Sequence, residues 1–411
     1  MEDLPNSLIR QMALSLSLNE INSLCRTNKK FNQAICQYQI FWYNKLVNDY
    51  KVTEAYSEEL DRKKIYKYYK YRLIGLGSNG QGRLGLISTR KVDNFTYIPT
   101  VAFKDIACGD SYSIFIDING NLWVTGDNYS GQLGANTARE LVRTFTQLHN
   151  NTKFIQVACG TNHTLALSED NEIWVTGSNE KGQLGTDFVN SVDWLVKIKK
   201  YRAKQIACNN NYSAFIDLEG NLHIFGQFNN NRYKIPGNLS IIQVSCGYNH
   251  IMCIDGNNDI WGFGNADDGR LGIENRPYNI EHPKKISNHK AKYISCGFNY
   301  TAFIDLEDRV WIFGNNNHKQ LGLLNVKIQY TPRRITQVYY EGQVVNLDFR
   351  VRQVHCYHST TLFIDLEDNL WVTGKSEGLH IDSEIPVIVP RIKVNKVATG
   401  TSHMIIGGYY N

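Results

Sequence analysis

IACGDSYSIFIDINGNLWVTG, residues 106–126, holds three short runs of apolar and β-branched residues separated by Asp, Asn and Gly. Such runs, bounded by turn residues, predict the strands of an antiparallel sheet. The stretch recurs along the chain, because six times a cysteine is followed 18 residues later by a glycine that closes a strand. The six pairs are Cys108/Gly126, Cys159/Gly177, Cys208/Gly226, Cys246/Gly264, Cys296/Gly314 and Cys356/Gly374. A motif that recurs at intervals of 38 to 60 residues predicts a fold built from repeated small sheets.

A seventh copy of the repeat is split between two distant parts of the chain. Its first half is VATGTSH at residues 397–403, and its second half is LIGLG at residues 73–77. If the two halves share one sheet, the repeats close into a ring, and a ring leaves no free sheet edge. The sequence therefore predicts an all-β, seven-bladed propeller over residues 73–411, in which residues 397–411 close the seventh blade with residues 73–85.

Composition limits the partners and the compartment. The chain carries a net charge of +5, with 12 Lys/Arg against 8 Asp/Glu in residues 1–72 and 32 against 31 in the rest. A nearly neutral ring neutralises few phosphates, so nucleic acid is disfavoured as a partner. No run approaches the roughly 20 apolar residues of a membrane span, so no membrane partner is expected. Six of nine cysteines occupy one repeat position, which favours free thiols in an intracellular compartment, cytoplasmic or nuclear.

The repeat resembles the regulator of chromosome condensation repeat family over residues 73–411. The resemblance rests on the period, on Gly-Gln-Leu-Gly turns such as residues 131–134 and 182–185, and on the split seventh copy. Members of that family form seven-bladed propellers, so the resemblance implies the same ring here. The third copy departs from the pattern, because His223 stands where other copies have Trp.

Residues 1–50 show a helical period instead of a strand period, and SLNE at residues 17–20 has the pattern of a capping box. Residues 1–50 resemble an F-box. This resemblance implies an N-terminal all-α, F-box-like module that docks onto a Skp-type adaptor of a cullin–RING ubiquitin ligase. The positions that it places against the adaptor are Leu4, Pro5, Leu8, Ile9, Leu18 and Ile21. The alternative is a small helical cap whose apolar residues pack on each other or on the propeller. Residues 51–72 are predicted to form a helical linker, whose basic run at residues 62–70 is interpreted as a solvated face.

Two further repeat positions carry side chains that invite a functional interpretation. The residue four positions after the cysteine is Tyr112, His163, Tyr212, His250, Tyr300, Thr360 or, in the split copy, His403. Four strand residues span about 13 Å, and zinc–ligand bonds are about 2 Å long, so these histidines are predicted to form hydrogen bonds between blades. An aspartate follows the cysteine by nine residues at Asp117, Asp217, Asp255, Asp305 and Asp365. These aspartates are predicted to tie hairpin turns and also to line one rim as an acidic ring.

No catalytic residue, cofactor or metal is predicted. The Gly-x-Gly-x-x-Gly pattern at residues 75–80 does not indicate a dinucleotide site, because it leads into a repeat turn and not into a helix. The first functional hypothesis is a non-catalytic substrate adaptor of a Skp-type/cullin–RING ligase, with an unknown target protein on the propeller loops. The alternative is a guanine-nucleotide exchange factor or regulator of a Ran-type small GTPase, as the founding propeller of the family implies. Against exchange, residues 227–237 of the third copy are short, and the longest extra segment is residues 323–352. A chromatin-associated propeller is the second alternative.

Overall fold

The computed structural model divides the chain into two compact units, Met1–Arg72 and Leu73–Asn411. It describes residues 72–87, 90–100, 102–135, 139–187, 190–226, 232–233, 240–274, 278–376 and 379–410, with residues 9, 10, 13, 14, 16, 21, 24, 25, 31–36, 41, 42 and 45 of the first unit. Among the described residues of that unit, Asn32–Cys36 form a π-helical turn. The predicted linker, apart from Arg72, lies outside the described residues.

The second unit is all β, apart from a 3-10 turn at Asp267–Gly269. Its strands in chain order are β1 (Arg72–Ser78), β2 (Lys91–Tyr97), β3 (Phe103–Cys108), β4 (Tyr112–Asp117), β5 (Leu122–Gly126), β6 (Val142–Gln147), β7 (Phe154–Cys159), β8 (His163–Ser168), β9 (Glu172–Gly177), β10 (Val192–Asn209), β11 (Tyr212–Asp217), β12 (Leu222–Gly226), β13 (Arg232–Tyr233), β14 (Ile241–Cys246), β15 (His250–Asp255), β16 (Asp259–Asn265), β17 (Asn279–Cys296), β18 (Tyr300–Asp305), β19 (Val310–Asn315), β20 (Ile328–Arg334), β21 (Gln337–Tyr340), β22 (Gln343–Asn346), β23 (Val351–Tyr357), β24 (Thr360–Asp365), β25 (Asn369–Ser376), β26 (Ile381–Thr399) and β27 (His403–Tyr410).

These strands form antiparallel blades of four strands each, numbered here from 1 to 7. Blade 1 is β3–β6, blade 2 is β7–β9 with the first part of β10, blade 3 is the rest of β10 with β11–β13, blade 4 is β14–β16 with the first part of β17, blade 5 is the rest of β17 with β18–β20, blade 6 is β23–β25 with the first part of β26, and blade 7 is the rest of β26 with β27, β1 and β2. The long strands β10, β17 and β26 therefore pair within one blade at their beginning and within the next blade at their end.

The blades close into a ring. Each innermost strand contacts the innermost strand of the next blade, and the end of β26 contacts β3. Strand β27 is hydrogen bonded to β1, and the Ser78 amide donates to the carbonyl oxygen of Ser402 at 2.8 Å. The two halves of the split repeat thus share one sheet, and the all-β propeller prediction is confirmed.

The repeat glycine at or near the end of the third strand of every blade is required by the backbone conformation there. In blade 2, Gly177 has φ of +105°, and a Cβ there would lie 2.4 Å from the carbonyl oxygen of Asn162. The equivalent glycines of the other blades have φ between +92° and +120° and meet the same turn carbonyl at 2.3–2.6 Å. In blade 7 this contact joins Gly77 to Ser402 across the closure. Because L side chains are excluded from this geometry, the repeat keeps glycine there.

The hydrophobic core lies between neighbouring blades and not within them. One cluster, for example, joins Val310 and Ile312 of β19 in blade 5 to Val354 and Phe363 of blade 6. The second strand of each of blades 1 to 5 is buried along its whole length, because it packs on both of its faces. Each blade therefore depends on its two neighbours for burial of its apolar residues.

Candidate interaction site

In every blade except blade 6, the residue four positions after the repeat cysteine joins the blade to the next one. Tyr112 Oη donates hydrogen bonds to the carbonyl oxygens of Gly160 and His163, at 3.2 and 2.5 Å. His163 Nε2 lies 3.0 Å from the Ser213 hydroxyl of blade 3. The same position bonds to the next blade through Tyr212, His250, Tyr300 and His403. The prediction that these histidines bond between blades is confirmed.

Burial keeps these histidines uncharged. It lowers the pKa of His163 to about 4, and with the nearby Arg270 it lowers the pKa of His250 to about 3. His403 is shifted to a pKa of about 3 by burial and by Arg83. At neutral pH the three rings therefore act as neutral partners of the hydroxyl groups that they meet. Among the described residues, no three His, Cys, Asp or Glu side chains group in a way that holds a metal ion.

Six repeat cysteines surround a cavity of about 260 Å³ at the centre of the ring. They are free thiols, and burial raises the pKa of Cys108 and Cys208 to about 12. Thiols of so high a pKa are not nucleophiles at neutral pH. Cys25 of the first unit differs from them, because it is disulfide-bonded.

A second set of contacts between blades, which the sequence analysis missed, lies three residues before the cysteine. Gln156 donates through Nε2 to the carbonyl oxygen of Ile206 and accepts from the Ile206 amide, both at 3.0 Å. Gln205 and Gln243 pair with blades 4 and 5 in the same way. At the closure, Lys396 forms an ion pair with Asp105. The recurrence of Gln three residues before the cysteine is the feature of the sequence that could have predicted these contacts.

The repeated aspartates are turned into the blades and not outward. Asp255 is 0% exposed and accepts hydrogen bonds from the amides of Asn257 and Asp259 and from Trp261 Nε1. The same tryptophan bond occurs in blades 1, 5 and 6. The predicted role in the turn is confirmed, but the predicted acidic ring is wrong, because four of the five aspartates are buried and their carboxylates accept hydrogen bonds inside the blades.

The histidine that replaces Trp in blade 3 keeps the same partner. His223 Nε2 lies 2.7 Å from Asp217 Oδ2, and its ring stacks on Phe215 with centroids 4.6 Å apart. Burial alone would raise the pKa of Asp217, but hydrogen bonds from His223 and Asn221 lower it. His223 is therefore a substitute for the tryptophan and not an exposed functional group.

An inserted hairpin interrupts the repeat between blades 5 and 6. Strands β21 and β22 are joined by Glu341 and Gly342, with φ of +48° and +83°. Positive φ at both central residues is the geometry of a type I′ turn, which suits the twist of a tight hairpin. Strand β21 also pairs in parallel with β26, and Tyr340 stacks on Trp371 at 6.3 Å. The hairpin is therefore held firmly against the outer edge of blade 6.

This hairpin carries the densest group of exposed apolar side chains in the described part of the chain. Five of the fifteen large exposed hydrophobic residues there lie within nine positions, namely Tyr339, Tyr340, Val344, Val345 and Leu347. The cross-strand pair Tyr339 and Val344 is 41% and 52% exposed. Exposed apolar groups that are concentrated in this way mark interaction sites.

The face of the ring formed by the aspartate-bearing turns, here called the aspartate face, continues this apolar surface. The segment that bears the hairpin begins and ends beside the turn of blade 5, where the Ile335 amide donates to Val310 and the Val351 amide donates to Asp308. Leu306 and Leu366, which follow the aspartates of blades 5 and 6, are 53% and 54% exposed. The hairpin and these turns together form the candidate interaction site.

The six positions predicted to face a Skp-type adaptor are only partly described. Ile9 and Ile21 are buried, at 2% and 0% exposure. Leu4, Pro5, Leu8 and Leu18 lie outside the described residues. No helix in the part of the chain that the structure describes is long and apolar enough to cross a membrane.

The chain contains regulator of chromosome condensation (RCC1) repeats. One family model of that description matches residues 103–132, 154–183 and 241–270, and a second matches residues 119–167, 257–304 and 307–364. No F-box family model matches the chain. The predicted RCC1-type repeats are confirmed, whereas the all-α F-box-like module is not supported.

Curated relatives match about half of the chain. It is 28% identical to the RCC2 homolog of Xenopus laevis over 262 residues, which is 52% of this chain and 48% of that protein. It is 31% identical to the human X-linked retinitis pigmentosa GTPase regulator over 242 residues, 53% of this chain and 23% of that protein. The probable E3 ubiquitin-protein ligase HERC6 of Homo sapiens is 24% identical over 243 residues, 53% of this chain and 24% of that protein. The chain spans half or less of the length of these relatives.

Solved structures share the fold. The Saccharomyces cerevisiae protein Prp20p, described with its binding properties to Gsp1p and histones, matches with a TM-score of 0.71 at 17% identity and covers 87% of this chain and 97% of that one. Human WBSCR16 matches with a TM-score of 0.71 at 18% identity, over 82% of this chain and 98% of that one. At such identities the matches establish the propeller fold alone.

The ubiquitin-ligase adaptor hypothesis and its Skp-type partner are wrong. The relatives include RCC2 homologs, the similar structures include Prp20p, which is described with its binding properties to Gsp1p and histones, and no F-box model matches the chain. The error arose because apolar residues at helical spacing are common to many small helical modules and do not specify an adaptor-binding one.

Proposed function

We propose that this chain is a regulator that binds a Ran-type small GTPase through the aspartate face, with the β21–β22 hairpin as the main contact. The observation that carries the proposal is the group of exposed apolar residues on this inserted hairpin, within an otherwise regular ring. The chain is proposed to act by binding, with no chemistry of its own.

The similar proteins support this choice of partner. One relative is named a GTPase regulator, and Prp20p, which shares the fold, is described with its binding properties to Gsp1p. The near-neutral ring, with 32 basic and 31 acidic residues, fits a protein partner better than nucleic acid.

The hairpin suits binding because it is already ordered. Its two-residue turn, its pairing with β26 and the stacking of Tyr340 on Trp371 fix it in one conformation. Little ordering entropy is then lost when a partner binds, which leaves more of the contact free energy for affinity. Tyrosine is also among the side chains that dominate binding energy at protein interfaces.

The test measures binding of the full chain to a Ran-type GTPase in its GDP, GTP-analogue and nucleotide-free states by calorimetry. Replacing the exposed pair by serine, Tyr339→Ser with Val344→Ser, is expected to weaken binding at least tenfold. The matched control is Tyr129→Ser, a 59% exposed tyrosine on the loop after β5, at the opposite face, which is expected to leave the affinity unchanged.

Two further measurements make the result decisive. The unfolding free energy of the double variant is expected to stay within about 0.5 kcal/mol of wild type, since both side chains are exposed. Release of fluorescent GDP from the GTPase shows whether binding also accelerates exchange. No binding in any nucleotide state, or equal loss in the Tyr129→Ser control, would contradict the proposal.

A further inference from the structure

Blade 6 lacks an aromatic ring at the repeat position that joins the other blades to their neighbours, although its Tyr357, three residues earlier, donates a hydrogen bond to Asp110 of blade 1 at 3.1 Å. The residue four positions after its cysteine is Thr360, whereas the other six blades have Tyr or His there. In blade 1 this ring lies over the residue that follows the cysteine, because a Cβ on Gly109 would be 2.0 Å from Tyr112. From there its hydroxyl reaches Gly160 and His163 of blade 2.

A cavity of about 280 Å³ lies at the corresponding position between blades 6 and 7. Its lining includes Tyr357 and Thr360 of blade 6 and Gly400 and His403 of blade 7. Gly400 and His403 occupy the repeat positions of Gly160 and His163, whose carbonyl oxygens accept from Tyr112 in the first junction. The cavity therefore occupies the place that a tyrosine ring fills elsewhere.

The cavity is also equipped to accept a phenol. In the described part of the chain no side chain donates to the carbonyl oxygens of Gly400 and His403, which correspond to the carbonyls of blades 2 and 4 that accept from Tyr112 and Tyr212. A cavity of about 150 Å³ is enough to bind benzene, so about 280 Å³ has room for a phenol ring. The hydroxyl would supply the donor that Thr360 does not.

An aromatic strip leads across the same face toward this cavity. Tyr248 and Phe298, on the turns of blades 4 and 5, stack with centroids 3.9 Å apart, and Phe298 lies 5.2 Å from the ring of His358 on blade 6. His358 and Lys375 are exposed and line the cavity. Aromatic surface beside a pocket is typical of sites that receive an anchoring side chain from a protein partner.

We propose that the cavity between blades 6 and 7 binds the phenol ring of a tyrosine side chain presented by a partner protein. The ring enters from the face that carries the aromatic strip, and its hydroxyl donates to the carbonyl oxygens of Gly400 and His403. This site is on the face opposite the aspartate face, so it does not depend on the GTPase proposal.

The experiment titrates the full chain with N-acetyltyrosinamide, with N-acetylphenylalaninamide, which lacks the hydroxyl, and with p-cresol as a free phenol. Ligands of this size bind with dissociation constants on the order of 1 mM, so saturable binding is followed by ligand-detected NMR. We expect the tyrosine amide and p-cresol to bind and the phenylalanine amide to bind at least tenfold more weakly.

Variants that fill the cavity from within test its location. Thr360→Tyr restores the ring while Tyr357 stays in place. Blade 3 already accommodates a tyrosine at this position, Tyr212, together with a residue other than glycine after the cysteine, Asn209. The double variant Tyr357→Gly with Thr360→Tyr recreates the Gly and Tyr pair of blade 1. Either one is expected to abolish binding. The control Tyr212→Phe removes the same hydrogen bond at another junction and is expected to leave binding unchanged.

Three outcomes would overturn the proposal. The first is equal binding of the tyrosine and phenylalanine amides, and the second is unchanged binding in a folded Thr360→Tyr variant. The third is binding of p-cresol without the tyrosine amide, which would assign the cavity to free phenols and not to a partner side chain.

Discussion

The interior of the ring and the inserted hairpin differ in what determines their residues. Inside the ring, each side chain has a partner fixed by the next blade, as Gln156 has in Ile206 and Tyr112 has in His163. The hairpin has no counterpart in the other blades, and Tyr339 and Val344 on it face outward. Residues that must match a neighbouring blade maintain the fold. Residues without such a constraint are available to bind a partner.

The largest expected effect concerns two glycines that both have positive φ. Gly177, inside blade 2, would place a Cβ 2.4 Å from a backbone oxygen, whereas Gly342, at the hairpin tip, has no atom within 4 Å of a Cβ. We expect Gly177→Ala to lower the unfolding free energy by about 3 kcal/mol or more, since it adds a clash to the strained φ. Gly342→Ala should cost about 1 kcal/mol, for φ alone.

Urea denaturation of both alanine variants measures this difference. Equal losses of unfolding free energy would mean that the turn beside Gly177 can move aside, which would weaken the contrast between the interior and the hairpin.

A second effect is specific to the interior and depends on pH. The unfolded chain protonates its histidines near pH 6.5, but His163 and His250 stay neutral in the fold down to a pKa of about 4 and about 3. The unfolded state therefore binds more protons as the pH falls below 6.5, so stability is full above that pH and decreases toward pH 4. Each such histidine should cost about 2 kcal/mol between pH 7 and pH 5.

Urea unfolding at pH 7 and pH 5 tests this expectation. In His163→Gln the loss between the two pH values should be smaller by about 2 kcal/mol, whereas replacing the exposed His282 by Gln should leave it unchanged. An unaltered loss in the His163 variant would contradict a buried, neutral ring.

The smallest expected effect restores a repeat residue that blade 2 lacks. Ser168 stands where five other blades have Asp, and Trp174 Nε1 is buried with no hydrogen-bond partner among the described residues. Ser168→Asp should supply the acceptor that Asp255 gives Trp261 and raise the unfolding free energy by about 1 kcal/mol. Thermal denaturation measures the gain, and Ser168→Ala, which loses the bond from the Glu172 amide, is the control. A gain of stability in both variants would exclude the hydrogen bond as the cause.

The sequence predicted those parts of the fold that recur. The spacing of cysteine and glycine predicted the blades, and the split copy predicted that Gly77 and Ser402 meet. The hydrogen bonds of the histidines between blades were predicted because a strand keeps the cysteine and histidine too far apart to share a metal, but the same role of the tyrosines was not predicted. All of these inferences depend on features that every copy repeats.

The remainder depends on packing that a single repeat does not reveal. The aspartates were expected on the surface because the partner that turns them inward, such as Trp261 for Asp255, lies on another strand. The length of residues 323–352 indicates an extra segment. Its fold as a hairpin against β26 depends on the pairing of β21 with β22 and β26, which the sequence does not show. The cavity beside Thr360 lies where one of the seven copies lacks the ring, and the sequence alone shows this only as a departure from the repeat.

The sharing of blade 7 between both ends of the ring affects synthesis of the protein. Strand β1 leaves the ribosome roughly 330 residues before its partner β27. At about 5–20 residues per second, translation of that interval takes roughly 15 to 65 s. Throughout that time the nascent chain holds an unpaired strand edge, so chaperone binding during translation is expected to centre on the first propeller strand.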